Sequence, residues 1–268
     1  SFIETSGYPF KANVWESFIT SLSLLRIEEK KTNNPERHNE LNLVAIDKFE
    51  ENDDNNEPAT KITFFTKDQK IFKSILLGKI DNTVGGISGG QFARYNNDNQ
   101  AYLLKGALRM PSGKSDWFNS LLFKLDQEKL SSISVKRKKI IFEIESKDRK
   151  LSLKNNPDLK IDEEKLKQVA EVIDAFYFYD VRKVNKIKKN NNNIISYEFK
   201  DGLILELKFI EKSKDSKESW IEISAQSNNP KSINEANDLN KKTKGYQFLA
   251  NINTSVIFNW NIKDLIKK

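Results

Sequence analysis

Two stretches of the chain, 151 residues apart, carry the same apolar pattern. Phe10, Trp15, Phe18, Leu22, Leu25 and Ile27 align with Ile161, Leu166, Val169, Ile173, Phe176 and Phe178. The spacing predicts an amphipathic helix in each, over 9–28 and 162–179. After a polar connection, each is followed by strand-like alternation with a Lys-Asp turn, Lys67-Asp68 and Lys200-Asp201. A helix-plus-hairpin unit that recurs along a chain must bury its apolar face against a neighbouring layer. The feature therefore constrains architecture before it says anything about chemistry.

Period-two alternation predicts strands at 61–66, 71–79, 91–95, 100–105, 132–136, 139–146, 149–154, 194–200, 203–210, 219–226 and 246–249. Residues 1–4 also read as strand. Further helices are expected at 116–125, 232–242 and 254–266. Strands run in consecutive hairpins beside segregated helices, without the strict alternation of a βαβ chain. The expectation is an α+β fold of duplicated helix-plus-antiparallel-hairpin units, with helices packed on antiparallel sheets. Two units are expected, 1–130 and 131–268.

The chain has 268 residues and a formal charge of +7. Its 17 Phe, 7 Tyr and 4 Trp supply core material despite a charged fraction of 31%, so a disordered chain is not expected. Only seven of the 45 basic residues are Arg. Arg is the residue that forks onto phosphates and base edges. The Lys and Asn surplus reads as the bias of an A+T-rich genome, and no nucleic-acid partner is expected. Cysteine is absent and His38 is the one histidine. That excludes disulfides, thiolate catalysis and Cys-based zinc or iron–sulfur sites. No apolar run approaches the 18 residues or so of a membrane span.

Local motifs resist catalytic readings. Gly85-Gly86-Ile87-Ser88-Gly89-Gly90 is followed by Gln91-Phe92 and a strand, not by the Lys-Ser/Thr and helix of a phosphate loop. It reads as a hairpin loop. His38 lies in Asn34-Pro35-Glu36-Arg37-His38, reads as a surface residue, and has no nucleophile elbow to serve. Asp53-Asp54-Asn55-Asn56-Glu57 lacks the glycine and spaced carboxylate of a calcium loop. Lys136-Arg137-Lys138-Lys139 reads as a solvated hairpin, with anionic-surface contact as the other reading. Paired carboxylates of the glycosidase kind have no local signature. No catalytic residue, cofactor or metal site is expected.

Several short segments resemble a known family in their order and spacing. They are Gly7-Tyr8-Pro9; Leu24 through Thr32, with Pro35-Glu36-Arg37; Leu76-Leu77-Gly78-Lys79; Gln91-Phe92-Ala93-Arg94; Gln100-Ala101-Tyr102-Leu103; Ser115-Asp116-Trp117-Phe118; and, near the end, Leu239-Asn240, Lys244 through Phe248 and Asp264-Leu265-Ile266. Together they resemble the domain of unknown function 4340 family over nearly the whole chain. Relatives have Tyr-Val-Arg where this chain has Phe92-Ala93-Arg94, a conservative departure. The resemblance implies a single membrane anchor upstream of residue 1 and a location on the extracytoplasmic (periplasmic) face of the inner membrane. It also implies a relationship to auxiliary proteins of gliding-motility-type ABC transporters. No catalytic residues belong to the family, so none carry over. Gly78, Arg94, Tyr102 and Trp117 are the signature positions taken as candidate interface residues.

The expected function is a non-enzymatic interaction or accessory module with a membrane-protein partner, an ABC transporter component. The alternatives are a binder of an anionic envelope ligand, a lipid headgroup or polysaccharide, and a carboxylate hydrolase.

Overall fold

The computed structural model describes residues 6–50, 56–84, 89–108, 110–111, 113–147, 150–156, 159–184, 193–214 and 217–267. They form two compact units, Ala12–Pro111 and a second made of Ser1–Lys11 with Ser112–Lys268. The first is thus inserted in the sequence of the second. The expected division at 130 is corrected to crossings at 11/12 and 111/112, because the N-terminal segment around Tyr8 packs into the core of the larger unit.

The inserted unit begins with α1 (Ala12–Leu24) and continues as a five-stranded antiparallel sheet. Its strands are β1 (Arg26–Lys30), β2 (Thr60–Phe65), β3 (Ile71–Asp81), β4 (Gly90–Tyr95) and β5 (Ala101–Lys105), in the order β1-β5-β4-β3-β2. One face buries Leu76, Phe92, Ala101 and Leu103 against Leu43, Ala45 and Ala59. Leu43 and Ala45 belong to a coiled segment with short 3₁₀ turns at Pro35–Arg37, Asn39–Leu41 and Ile46–Lys48, and Ala59, just before β2, bridges to Ala45. Asn34 starts that segment by accepting the Glu36 amide at 3.1 Å, with Pro35 pre-set for the turn.

The larger unit is built on a nine-stranded antiparallel sheet. Its strands are β6 (Leu121–Phe123), β7 (Leu130–Lys136), β8 (Ile140–Lys147), β9 (Lys150–Leu153), β10 (Phe176–Lys183), β11 (Ile194–Phe199), β12 (Leu203–Lys212), β13 (Ser219–Ser227) and β14 (Tyr246–Ala250). Their order is β6-β10-β14-β13-β12-β11-β7-β8-β9. Alternate residues Leu203, Leu205 and Leu207, and likewise Ile221, Ile223 and Ala225, face one core. That core is shared with α3 (Glu163–Glu171), α4 (Ile233–Thr243) and α5 (Ile252–Ile257) through Leu166, Val169, Ala236, Leu239 and Ile257. Asp162 caps α3 by accepting the Glu164 amide, and two glutamates occupy its first turn, where the helix dipole favours them. Asn240 fastens α4 to the sheet by bonding both the amide and the carbonyl of Ala225, at 3.0 and 2.6 Å.

The α+β class stands, with helices on antiparallel sheets, but four helix expectations are corrected. The span 9–28 divides into α1 and β1, and 162–179 into α3 and β10, because the last apolar residues of each pattern sit on a strand that pairs with a sheet. The span 116–125 divides into α2 (Lys114–Trp117) and β6, which pairs with β10. The span 254–266 is broken after Ile257, with a 3₁₀ turn at Ile262–Leu265. The two apolar stripes also meet different surroundings. Leu166, Val169, Ile173, Phe176 and Phe178 are all buried, whereas Trp15 is exposed and Ile27 is 58% exposed. β1 is an edge strand and β10 an interior one. What recurs is local order, helix then strand, and not environment. Among the described residues no helix is long and apolar enough to cross a membrane.

The contrast predicts unequal costs for matched truncations. Ile173→Ala should destabilise the larger unit by about 2–5 kcal/mol, as for a fully buried aliphatic side chain. Leu22→Ala, at a half-buried position, should cost about 1 kcal/mol or less. Denaturant titration of both variants measures the difference.

Candidate interaction site

The second face of the five-stranded sheet carries Ile75, Ala93, Tyr95, Tyr102 and Leu104; cross-strand pairs Ile75 with Tyr95 and Ala93 with Tyr102 set this registry. Leu22, near the C-terminal end of α1, and Leu25, just past it, lie over this face. Between them is a groove of about 310 Å³, whose lining is mostly apolar. Ile27 on β1 and Tyr95 on β4 also line the groove, and both are exposed. α1 carries a single charged residue, Glu16, and leaves Trp15, Ile19 and Leu24 exposed. The groove thus continues an apolar surface that water covers at a free-energy cost proportional to its area.

The signature residues do different jobs around this groove. Arg94 and Tyr102 both line it. The Arg94 guanidinium donates to carbonyls only: Nε to Leu43 at 2.9 Å, and Nη1 to Tyr95, Asn96 and Asp98 at 3.1–3.3 Å. It clamps the β4–β5 turn and the coiled segment into one piece. Burial lowers its affinity for its proton, with the Asp98 charge opposing. Gly78 meets the same coiled segment from β3. A Cβ there would stand 2.1 Å from the Leu41 carbonyl oxygen, so the close approach admits glycine alone. Trp117 lies in the other unit, against Phe10 at a ring-centroid distance of 6.0 Å. The four signature positions are thus divided between the two units.

Two residues have roles that their neighbours in sequence do not reveal. Gln91 is buried and bridges three segments, donating to the Gly78 carbonyl at 3.1 Å and accepting the Leu108 amide at 2.9 Å. His38 is buried, not a surface residue. Its Nε2 lies 2.9 Å from the Asn99 carbonyl oxygen, which requires that nitrogen to carry the proton. Burial lowers the basicity of the ring; the Asn99 carbonyl works the other way, and the Arg94 charge adds to the lowering. The polar turn around His38 gave no sign of this, because the partner lies 61 residues downstream.

The remaining motifs divide. Residues 85–88 and 53–55 lie outside the described residues, so the Gly-rich and acidic-loop readings do too. In the β7–β8 hairpin Arg137 is committed to the fold, donating to the carbonyls of Phe258 and Trp260 and to Asn261 Oδ1. Carboxyl groups whose ionisation is displaced include Asp81, Glu145 and Asp238, each shifted downward, led by a hydrogen bond from Thr83, Lys147 and Lys241 respectively. Among the described residues no group of three His, Cys, Asp or Glu could hold a metal ion.

Two outcomes follow. Gly78→Ala should destabilise the inserted unit by about 1–3 kcal/mol, the usual cost of forcing a methyl into a packed site, read as a lowered thermal midpoint. The basicity of His38 is lower folded than unfolded, so the unfolded chain binds the extra proton and stability rises with pH. That stability is present above the unfolded value of about 6.5 and is lost as pH falls below it. His38→Gln should flatten the slope of stability between about pH 6.5 and 5, measured by denaturant titration.

No curated protein and no solved structure matches the chain. A family model does, over residues 2–193, so the C-terminal segments from Leu239 onward lie beyond the match. That span holds the Gly78, Arg94 and Gln91 contacts described above, and by it the chain belongs to the family described as domain of unknown function DUF4340.

Proposed function

We propose that this protein is a non-enzymatic interaction module, held at the extracytoplasmic face of the inner membrane by an upstream anchor and auxiliary to an ABC transporter. The observation that carries the reading is the apolar surface of the inserted unit, formed by α1 and the groove beneath it. An exposed surface of that kind is what a protein contact requires. The signature residues support the same reading, since Gly78 and Arg94 are engaged in holding the shape of the unit. The occupant we assign to the groove is an apolar segment of a transporter subunit. A tethered partner is met at high effective concentration, so a modest contact is enough for assembly.

The hydrolase reading has less support. It needs a carboxyl held protonated near neutrality, and the displaced carboxyls named above move the other way.

The test is co-purification of the full-length protein from detergent-solubilised native membranes. The wild type should retain a transporter component. Ile27→Glu, at the exposed rim, should lose it with an unchanged circular dichroism spectrum. Retention by the variant, or no transporter component with either protein, would overturn the proposal.

A further inference from the structure

The β2–β3 hairpin extends beyond the sheet that carries it. β3 pairs with β4 from Ile75 onward, where Ile75 faces Tyr95. Its pairing with β2 continues outward through Lys73 and Phe64 to Ile71 and Phe65. Among the described residues no third strand runs beside the outer residues of the hairpin. A bulge lies in this stretch, since Phe64 faces Lys73 while Phe65 faces Ile71. Phe72 is the extra residue. Bulges re-aim side chains, and here two consecutive apolar residues end up in solvent, Ile71 at 67% and Phe72 at 73% exposure, with Phe65 exposed opposite them.

The turn that closes the hairpin is firmly built. Thr66 and Lys70 exchange bonds, the Thr66 amide reaching the Lys70 carbonyl at 2.8 Å and the Lys70 amide reaching Thr66 Oγ1 at 3.2 Å. Gln69 takes a left-handed backbone, φ 61°, and donates its amide to the Thr66 carbonyl at 3.0 Å. The apolar tip is thus presented on a fixed turn. Its net charge is positive. Residues 61–73 contain four lysines, Lys61, Lys67, Lys70 and Lys73, against one acid, Asp68. Lys67 and Lys70 make no ion pair among the described residues. Lys73 sits 3.9 Å from the centroid of the Tyr95 ring, a cation–π contact at the root of the tip.

We propose that this tip docks on an anionic lipid bilayer, with Phe65, Ile71 and Phe72 entering the interface and the lysines meeting lipid phosphates. Aromatic rings favour the headgroup level of a bilayer, and a negative surface attracts lysines held close to it. The occupant is a membrane and not a folded protein because the hairpin carries apolar bulk, Phe65, Ile71 and Phe72, directly behind a turn that bears Lys67 and Lys70, so a hairpin lying along an anionic leaflet sets its rings at headgroup level while its lysines reach the phosphates. The contact is separate from the α1 groove and does not depend on it. The β7–β8 hairpin offers no equivalent, since Ile140 is its one exposed large apolar residue and Arg137 is spent on the carbonyls of 258 and 260.

The experiment uses the whole chain with vesicles of phosphatidylglycerol mixed with phosphatidylcholine, and with phosphatidylcholine alone. The chain has no cysteine, so Asp68→Cys places a single environment-sensitive fluorophore at the turn, and Asp238→Cys places one on α4 as a control. Co-sedimentation should show binding to the anionic vesicles that weakens in high salt. The label at 68 should shift to the blue and the label at 238 should not. Each of Lys67→Gln and Lys70→Gln should reduce partitioning about fivefold, and Phe72→Ser about tenfold or more. Ile27→Glu should leave partitioning unchanged, which separates this contact from the proposed groove contact. Absence of vesicle binding would overturn the proposal. So would binding that Phe72→Ser and the lysine variants leave intact, binding with a blue shift at 238 and none at 68, or a loss in Phe72→Ser of transporter co-purification without loss of vesicle binding, which would make the tip a protein contact.

Discussion

The larger unit depends on one buried ring. Tyr8 is held edge-on by Phe118, Phe178, Tyr246 and Phe248, at centroid distances of 5.1–6.2 Å. Such edge-to-face contacts are favourable beyond the area they bury. Burial pushes the Tyr8 phenol up to about 12, with neighbouring Tyr246 adding to the rise, so the ring enters the cage neutral. Tyr246 returns a bond from its hydroxyl to the Gly7 carbonyl, and the Lys11 amide meets the Trp117 carbonyl at 2.9 Å. These contacts join the first segment of the chain to strands near its end. The core of the larger unit is therefore non-local in sequence, and closing it carries the entropy of a long loop. The inserted unit is continuous from Ala12 to Pro111 and has no such debt.

Hairpin strands were legible where alternation was clean. Leu203–Lys212 and Ser219–Ser227 alternate buried and less buried residues along most of their length, and period two alone identifies them. The strands that escaped, β1, β6 and β10, share a physical reason. In each, apolar residues continue at spacings that a preceding helix would also satisfy. Leu25 and Ile27 extend the stripe of α1, Phe176 and Phe178 extend that of α3, and Leu121 and Leu122 follow Trp117 at near-helical steps. Pairing across the sheet decided the matter, through Ile27 to Leu104 and Phe178 to Ala250, and pairing is not a local property. The position of the unit boundary was hidden for the same reason, since Tyr8 meets its partners only in three dimensions.

The candidate site was legible in fragments. Gly78 and Arg94 drew notice through family resemblance, but what they do could not be read from their neighbours in sequence. The Leu41 carbonyl that forbids a side chain at 78 and the Leu43 carbonyl that holds Arg94 lie 37 and 51 residues upstream. His38 was misread because a polar turn looked solvated, while its ring reaches a carbonyl on another loop. The apolar stripe of α1 was read correctly as a stripe. Its exposure was not, because the matched positions in α3 are covered and no sequence signal separates the two.

The insertion has a mechanical consequence. The chain leaves the larger unit after Lys11 and returns to it by Ser112, and the bond from the Lys11 amide to the Trp117 carbonyl ties the two crossings together. Tension applied between the two termini would run through that tie and the aromatic cage of Tyr8, and would bypass the hundred or so residues between. The inserted unit is thus shielded from load until the cage opens, like a side branch on a cable. Pulling on a chain held in this way would stretch the larger unit first and leave the groove and its rim in their native shape.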